Sequence, residues 1–133
     1  MAVQTKSLQA KGNELADGKH QVALLNKDNT PDFNEYLKRA EAFPLQPSAL
    51  EIMQINVGKM CNQVCEHCHV DAGPDRKEIM TKDTMLACLT ALDSCPSITT
   101  IDLTGGAPEM NPHFKWLVGE LSKRGKEVIV RSN

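Results

Sequence analysis

The sequence has no apolar run of the roughly 20 residues that a membrane-spanning helix requires. Its N-terminus, "MAVQTKSLQAKGNELADGKHQ", also has no apolar segment of the kind that a secretory signal peptide carries. The net charge is only -2, and no clustered basic face of the kind that nucleic-acid binding needs is evident. The length of 133 residues suits a single domain. These absences predict a cytoplasmic protein with neither nucleic-acid nor membrane partners.

A framework of disulfide bonds is also not indicated, because the chain has five cysteines, an odd number. In a reducing compartment, clustered cysteines more often bind metal or take part in catalysis than form disulfides. Three of the five, Cys61, Cys65 and Cys68, fall within eight positions of the segment "NVGKMCNQVCEHCHVDAGP", residues 56–74. This segment is therefore the first candidate for a functional site.

The first 48 residues differ in character from the rest of the chain. Residues 1–30 are polar and predict an extended or loosely ordered arm, and "TPDFNEYLKRAEA" predicts a short helix with Pro31 in its first turn. Pro44 and Pro47 then indicate a linker. The expected organisation is an N-terminal arm with a short helix over 1–48, followed by the main unit over 49–133.

The main unit alternates strands with helices. Strands are predicted over 49–57 and 97–103 and from residue 127, with helices over 81–94 and 111–125. Thr81 and Asn111 are the expected N-caps, and Gly125 fits the position after the second helix. Such an order predicts an α/β fold with a parallel sheet and right-handed crossovers.

The two unusual loops of the main unit each follow a predicted strand. Ligands of parallel α/β folds bind at the carboxyl ends of the strands. The cysteine segment follows the first strand and "TGGAPE", residues 104–109, follows the second. We therefore expect the two loops to open onto the same edge of the sheet.

Three structural interpretations of the cysteine cluster can be compared. A helical stripe of small buried side chains is disfavoured, because too many polar residues separate the cysteines. A structural zinc site would combine Cys61, Cys65 and Cys68 with His67 or His69 as a Cys₃His set. Structural zinc sites usually draw ligands from two separated pairs, and no second Cys-x-x-Cys pair exists here.

The third interpretation is an iron–sulfur cluster, which thiolates hold. A four-iron cluster normally takes four thiolates, so a loop that offers three leaves one iron open for chemistry. Neither remaining cysteine is a good fourth ligand. Cys88 lies on the apolar face of a predicted helix, and Cys95 precedes the second strand, at the opposite end of the sheet.

Cys-x₃-Cys-x₂-Cys after the first strand, with a Gly-Gly loop after the second, resembles the radical S-adenosylmethionine (radical SAM) superfamily. The resemblance implies that Cys61, Cys65 and Cys68 bind a [4Fe–4S] cluster. The amino and carboxylate groups of S-adenosylmethionine would chelate the open iron. An electron from the cluster would cleave the sulfonium to methionine and a 5′-deoxyadenosyl radical. His67 occupies the place before the third cysteine, where the family often has an aromatic residue near the adenine.

The glycine loop departs from the family pattern at one position. The family usually has Gly-Gly-Glu-Pro here, a loop that receives the methionyl amine. This chain has Gly105, Gly106, Ala107 and Pro108, followed by Glu109. Either the glycine carbonyls suffice for the amine, or the carboxylate two positions on replaces the missing one. Glu109 can alternatively be a charge that the following helix N-terminus favours.

The last three residues follow the third predicted strand and so belong to the same edge of the sheet. Arg131, Ser132 and Asn133 are in range, by resemblance, of the methionine carboxylate or the ribose. Simple exposure at the chain end is the alternative interpretation.

Within the superfamily, residues 50–133 are most similar to the arsenosugar-biosynthesis radical SAM proteins, through "INVGKMCNQVCEHCHVDAGPDR" and "DLTGGAPEMNPHFKWLV". The resemblance implies transfer of the adenosyl group to dimethylarsinous acid, with flavodoxin or ferredoxin as electron donor. The implied fold is the N-terminal part of a partial (β/α)₆ barrel, since about two strand–helix units and a third strand are present. The alternatives are a small zinc-binding Cys₃His module and a catalytically inactive truncated fragment.

Overall fold

The computed structural model describes residues 6–27, 31–66 and 68–133. Its centre is a sheet of three parallel strands in the order β1-β2-β3, formed by β1 (Ile52–Asn56), β2 (Thr100–Thr104) and β3 (Glu127–Val130). The predicted α/β fold with a parallel sheet is confirmed, and each strand is at or within three residues of its expected start.

Four helices accompany the sheet: α1 (Gly18–Leu25) and α2 (Phe33–Arg39) precede it, α3 (Lys82–Asp93) connects β1 to β2, and α4 (Phe114–Lys123) connects β2 to β3. The expected N-cap of α3 is confirmed, because the Thr81 hydroxyl accepts a hydrogen bond from the Thr84 N–H at 3.3 Å. Within the described residues no helix is long and apolar enough to cross a membrane.

The start of α4 differs from expectation. Asn111 is not its N-cap, because the helix begins at Phe114 with His113 in the cap position. The Asn111 side chain is buried and donates to the carbonyls of Val57 and Met80, both at 3.0 Å. The amide thus binds two loop carbonyls, a role that the preference of Asn for helix N-cap positions does not predict.

The end of α4 follows the prediction. Gly125 is the residue after the C-cap, with a φ of 66°. Its N–H donates to the Ser122 carbonyl, and the next N–H donates to the Leu121 carbonyl, which is the paired pattern of a Schellman motif.

One face of the sheet is covered by α3 and α4. The strand register aligns Ile55, Leu103 and Val130 on this face. Ile55 and Leu103 belong to the core, whereas Val130 is partly exposed. The buried members of this core are Ile55, Val57, Met85, Leu89, Leu92, Ile98, Ile101, Leu103, Leu117 and Leu121. Cys88 and Cys95 pack against this core, as expected for small hydrophobic side chains.

The opposite face of the sheet carries mostly polar side chains, with Ile52 and Ile129 as exposed apolar members. It includes Gln54 and Asp102, which the register places side by side on β1 and β2. The Asp102 carboxylate is almost fully buried and accepts from Gln54 Nε2 at 3.2 Å and from Arg131 Nε at 2.9 Å. A parallel sheet usually buries both faces, so polar side chains here indicate that this face packs against a polar ligand or against further polar structure.

The N-terminal part is more helical than the sequence indicates. Instead of an extended or loosely ordered arm, residues 6–27 contain 3₁₀ turns at Gln9–Lys11 and Glu14–Ala16, and then α1. The short helix predicted near Pro31 is α2, but Asp32 is its N-cap and the proline lies before it. Neither α1 nor α2 has a fully buried residue, which explains why no apolar periodicity revealed α1.

Candidate functional site

A cavity of about 310 Å³ opens at the carboxyl ends of the three strands. Its walls include Cys61, Cys65 and Cys68 from the loop after β1, Gly105 and Gly106 from the loop after β2, and Arg131, Ser132 and Asn133 after β3. The expectation that the two signature loops share one edge of the sheet is therefore confirmed.

The three cysteines present different amounts of surface to this cavity. Cys61 is buried, Cys68 is half-buried and Cys65 is exposed. Two of the sulfur atoms accept backbone hydrogen bonds: Ala72 N–H donates to Cys68 Sγ at 3.2 Å, and Gln63 N–H donates to Cys61 Sγ at 3.5 Å. The loop is therefore arranged around its sulfur atoms.

The donor set can be compared with a metal-ion site. Among the described residues, which do not include His67, no three His, Cys, Asp or Glu side chains are placed to hold one metal ion. His69 is exposed and lines the cavity, while His67 lies outside the described residues. A zinc ion needs its ligands to converge on one point, whereas the cysteines of a [4Fe–4S] cluster each hold a different iron. The three thiols line one wall of the cavity, and within the described residues they do not form a single-ion site.

The glycine loop approaches the cysteine loop at backbone distance. Gly106 N–H donates to the Gly58 carbonyl at 3.0 Å, and Ala107 N–H donates to the Met60 carbonyl at 2.9 Å. A Cβ added to Gly106 would clash with the Met60 carbonyl, and one added to Gly105, at φ 144°, would lie 2.5 Å from the Gly58 carbonyl. Only glycine permits this contact at both positions.

Ala107 occupies the position at which the family usually has a carboxylate. Its side chain is buried in a small apolar cluster with Cys61 and Ala72. Pro108 is fully buried and begins a 3₁₀ turn. Neither residue is among those that line the cavity, so the structure brings the two glycines to the site and leaves Ala107 and Pro108 behind it.

The remaining predicted site residues join the three loops to one another. The Ser132 hydroxyl donates to the Glu109 carboxylate at 2.7 Å. The Asn133 side-chain amide donates to the Asn62 side-chain carbonyl. Glu109 is thus tied to Ser132, the second residue after β3, and does not line the cavity. Its carboxylate supports the rim of the site.

Arg131 is expected from the sequence to lie near the site, whereas Asp102, the carboxylate that it contacts, is not. Asp102 anchors the Arg131 guanidinium through Nε, with 2.9 Å to each carboxylate oxygen, and Arg131 lines the cavity. The only signal in the sequence is an acidic residue inside an otherwise apolar strand, "SITTIDL". The pairing leaves a cation beside the cysteines and glycines that line the cavity.

The far side of the cysteine loop is held by a buried cation. Arg76 is 6% exposed, and its guanidinium contacts Asp71 Oδ2 at 2.7 Å and Glu78 Oε1 at 2.5 Å. The hydrogen bonds from Arg76 lower the pKa of Glu78 from its ordinary value of 4.5 to about 2. The Glu78 carboxylate is therefore ionised near neutral pH, and the hydrogen bonds from Arg76 to Glu78 and Asp71 fix the loop.

The N-terminal residues complete this arrangement. The buried Ser7 donates to Asp75 through its N–H at 2.9 Å and its hydroxyl at 2.5 Å. These two hydrogen bonds hold the pKa of the Asp75 carboxyl below its ordinary value. Sequence reasoning did not find this contact, because nothing in the pattern connects positions 68 residues apart.

The assembled site offers three thiols, a backbone surface without side chains and one anchored guanidinium around a single cavity. Such a set can hold a soft metal cluster and a zwitterionic ligand beside it. In comparisons with known proteins, no family model and no curated protein matches the sequence, so the case for its function depends on the site.

Proposed function

We propose that this chain is a radical SAM enzyme, or the N-terminal part of one, that binds a [4Fe–4S] cluster and S-adenosylmethionine in the cavity above the sheet. The observation that carries the proposal is the convergence of Cys61, Cys65, Cys68, Gly105 and Gly106 on one cavity at the strand carboxyl ends. The parallel strand–helix order is compatible with the first units of a partial (β/α)₆ barrel.

The residues present fit the cluster by their chemistry. Cys61, Cys65 and Cys68 would hold three irons as thiolates and leave the fourth open. When bound, the cluster supplies the electron that cleaves the sulfonium of S-adenosylmethionine. The N–H groups of Gln63 and Ala72 already point at two sulfurs, and hydrogen bonds to cluster sulfurs are among the factors that set the reduction potential.

The chain also provides groups for the methionine end of the cofactor. Gly105 and Gly106 permit close approach of a ligand to the backbone, whose free carbonyls can accept from an ammonium group. The Arg131 guanidinium, oriented by the Asp102 carboxylate, is a partner for the methionine carboxylate. With Ala107 buried and Glu109 bound to Ser132, the glycine backbone is the better candidate for the amine.

The outer groups have supporting parts in this proposal. Ser132 and Asn133 line the cavity and hold the loops around the ribose end of the ligand. His67 is assigned to the adenine on its sequence position alone. The proposed substrate is dimethylarsinous acid, whose arsenic would bond to C5′ of the 5′-deoxyadenosyl group as methionine leaves. Loss of the hydroxyl proton and of one electron, which replaces the electron used in the cleavage, would give the pentavalent product. Flavodoxin or ferredoxin is the proposed electron donor, and the proposed location is cytoplasmic.

Anaerobic reconstitution with iron and sulfide tests the cluster. The chain is expected to bind about four irons and four sulfides, and Cys61→Ala, Cys65→Ala and Cys68→Ala should each abolish stable binding. Cys95→Ala is the matched control, because this cysteine packs against the core at the other end of the sheet and should leave the content unchanged. Zinc without sulfide would support the Cys₃His alternative and contradict the proposal.

The second stage tests the chemistry. With the cluster reduced, addition of S-adenosylmethionine should yield 5′-deoxyadenosine, and addition of dimethylarsinous acid should yield a dimethylarsinoyl-deoxyadenosine detectable by mass spectrometry. A complete cluster without cofactor cleavage would favour the alternative of a catalytically inactive fragment. Cleavage without the arsenical product would keep the superfamily and exclude this substrate.

A further inference from the structure

A tight turn follows the third cysteine. Asp71 N–H donates to the Cys68 carbonyl at 3.2 Å, and Asp71 has a φ of 50°, in the left-handed region. Few residue types other than glycine adopt this region, and aspartate is among those that do. The reversal at this residue brings the next N–H, that of Ala72, to 3.2 Å from Cys68 Sγ. The hydrogen bond to the sulfur therefore depends on the backbone conformation at Asp71.

The Asp71 side chain is held from two directions. Its carboxylate accepts from Leu8 N–H at 2.6 Å and from Gln9 N–H at 3.0 Å, both in the N-terminal arm. Arg76 donates to it at 2.7 Å and also to the Asp71 carbonyl at 3.1 Å. The side chain is only 13% exposed. Asp71 thus accepts four hydrogen bonds. Together they hold it in the left-handed backbone conformation, which costs free energy for a residue other than glycine.

The arm also covers the rear of Cys68. A second cavity, of about 160 Å³, lies between the arm and the cysteine loop, and its walls include Leu8, Leu15 and Cys68. Cys68 therefore separates this cavity from the larger one that holds the proposed site. The arm thus lies next to Cys68 as well as to the turn that follows it.

We infer that Asp71 is a positioning residue for Cys68, and that the arm, through Leu8 and Gln9, holds it in place. This inference rests on the proposed function, since the sulfur it orients is a proposed cluster ligand. Residues that donate to or orient metal ligands typically change metal affinity 10–100-fold when they are mutated. Their hydrogen bonds also shift the reduction potential of a cluster.

The test compares the reconstituted Asp71→Ala and Asp71→Asn variants with wild type. Asp71→Ala should retain iron about 10- to 100-fold less well against a competing chelator and should have a lower midpoint potential in an EPR-monitored redox titration. Asp71→Asn keeps a carbonyl acceptor and tolerates the left-handed conformation, so its potential should lie between the two. A wild-type potential in both variants would overturn the inference.

Asp93→Ala is the matched control for the loss of a carboxylate. Asp93 binds Arg124 at 2.9 Å and lies at the end of α3, outside the cysteine loop, so its replacement should leave iron retention and potential unchanged. A potential that shifts as much in Asp93→Ala as in Asp71→Ala would contradict a specific role for Asp71.

Hydrogen exchange on the cluster-free chain separates failure of this inference from failure of the proposed function. Asp71→Ala should accelerate exchange of the Leu8 and Gln9 amides and also of the Ala72 amide. Faster exchange in the arm alone would show that the arm and the sulfur are not coupled, and would overturn the inference. If wild type bound no iron and sulfide, the proposed function would fail while this measurement still decided whether Asp71 orders the turn.

Discussion

The helix-covered side of the sheet and the cysteine-loop side are held together by different forces. Behind the sheet, ten buried apolar residues form one core, and burial of nonpolar surface is the main stabilising term. Around the cysteines, the corresponding apolar cluster has three buried members, Cys61, Ala72 and Ala107. Order in this second region comes from hydrogen bonds and from the buried Arg76 with its two carboxylates. A site with few buried apolar residues can thus be rigid, but its rigidity then depends on hydrogen bonds between charged groups.

The largest effect is expected where the apolar core is interrupted. Leu103→Ala removes a side chain with no exposed surface and should lower the free energy of unfolding by about 2–5 kcal/mol in urea denaturation. Leu86→Ala is the matched control, since this leucine is 46% exposed on α3 and should change stability by no more than about 0.5 kcal/mol. Equal losses in the free energy of unfolding of the two variants would show that burial does not determine how much a leucine contributes to stability.

A smaller loss is expected when the cysteine loop loses its cation. Arg76→Met keeps much of the side-chain length but leaves Asp71 and Glu78 without their shared partner, which should cost about 1–3 kcal/mol. Arg124→Met, which breaks a more exposed pairing with Asp93, should cost clearly less than Arg76→Met. Equilibrium unfolding of both variants measures the difference, and a larger loss in Arg124→Met would contradict the contrast between the two regions.

The smallest effect is a dependence on pH. The pKa of Glu78 is lowered from 4.5 to about 2, so its contribution to stability is fully present above about pH 4.5 and is lost as the pH falls toward 2. Comparing wild type with Glu78→Gln by thermal unfolding between pH 5.5 and 2.5 isolates this contribution. The stability difference between the two proteins should shrink across this window. A constant difference would mean that the Arg76–Glu78 pair does not stabilise the folded state through charge.

The same division between the two regions explains what the sequence could predict. Strands and helices built on apolar periodicity, such as α3 with Met85, Leu89 and Leu92, appear where the pattern indicates them. The shared edge of the two signature loops follows from the parallel topology alone. Both inferences use local patterns and one general rule of α/β folds, so they need no knowledge of specific contacts.

The contacts that shape the site are of another kind. The Asp71 turn, the Ser7–Asp75 pair and the burial of Arg76 join polar residues that are common in loops and follow no periodic pattern. Asn111 illustrates the ambiguity, since an Asn before Pro112 has the form of a helix cap and yet satisfies two carbonyls elsewhere. Local preference is outweighed at such positions by the demand to pair buried polar groups.

The hydrogen bonds between the glycine and cysteine loops continue past the last paired residues of β1 and β2, Asn56 and Thr104. The spacing between the two halves of the proposed site is therefore inherited from strand register and is not set by the loops themselves. A slip of one residue would carry the thiols about 3.3 Å along the glycine backbone and turn each β1 side chain to the other face. The apolar core behind the sheet prevents that slip. It therefore fixes the position of the thiols relative to the glycine loop, although none of its buried members lines the cavity.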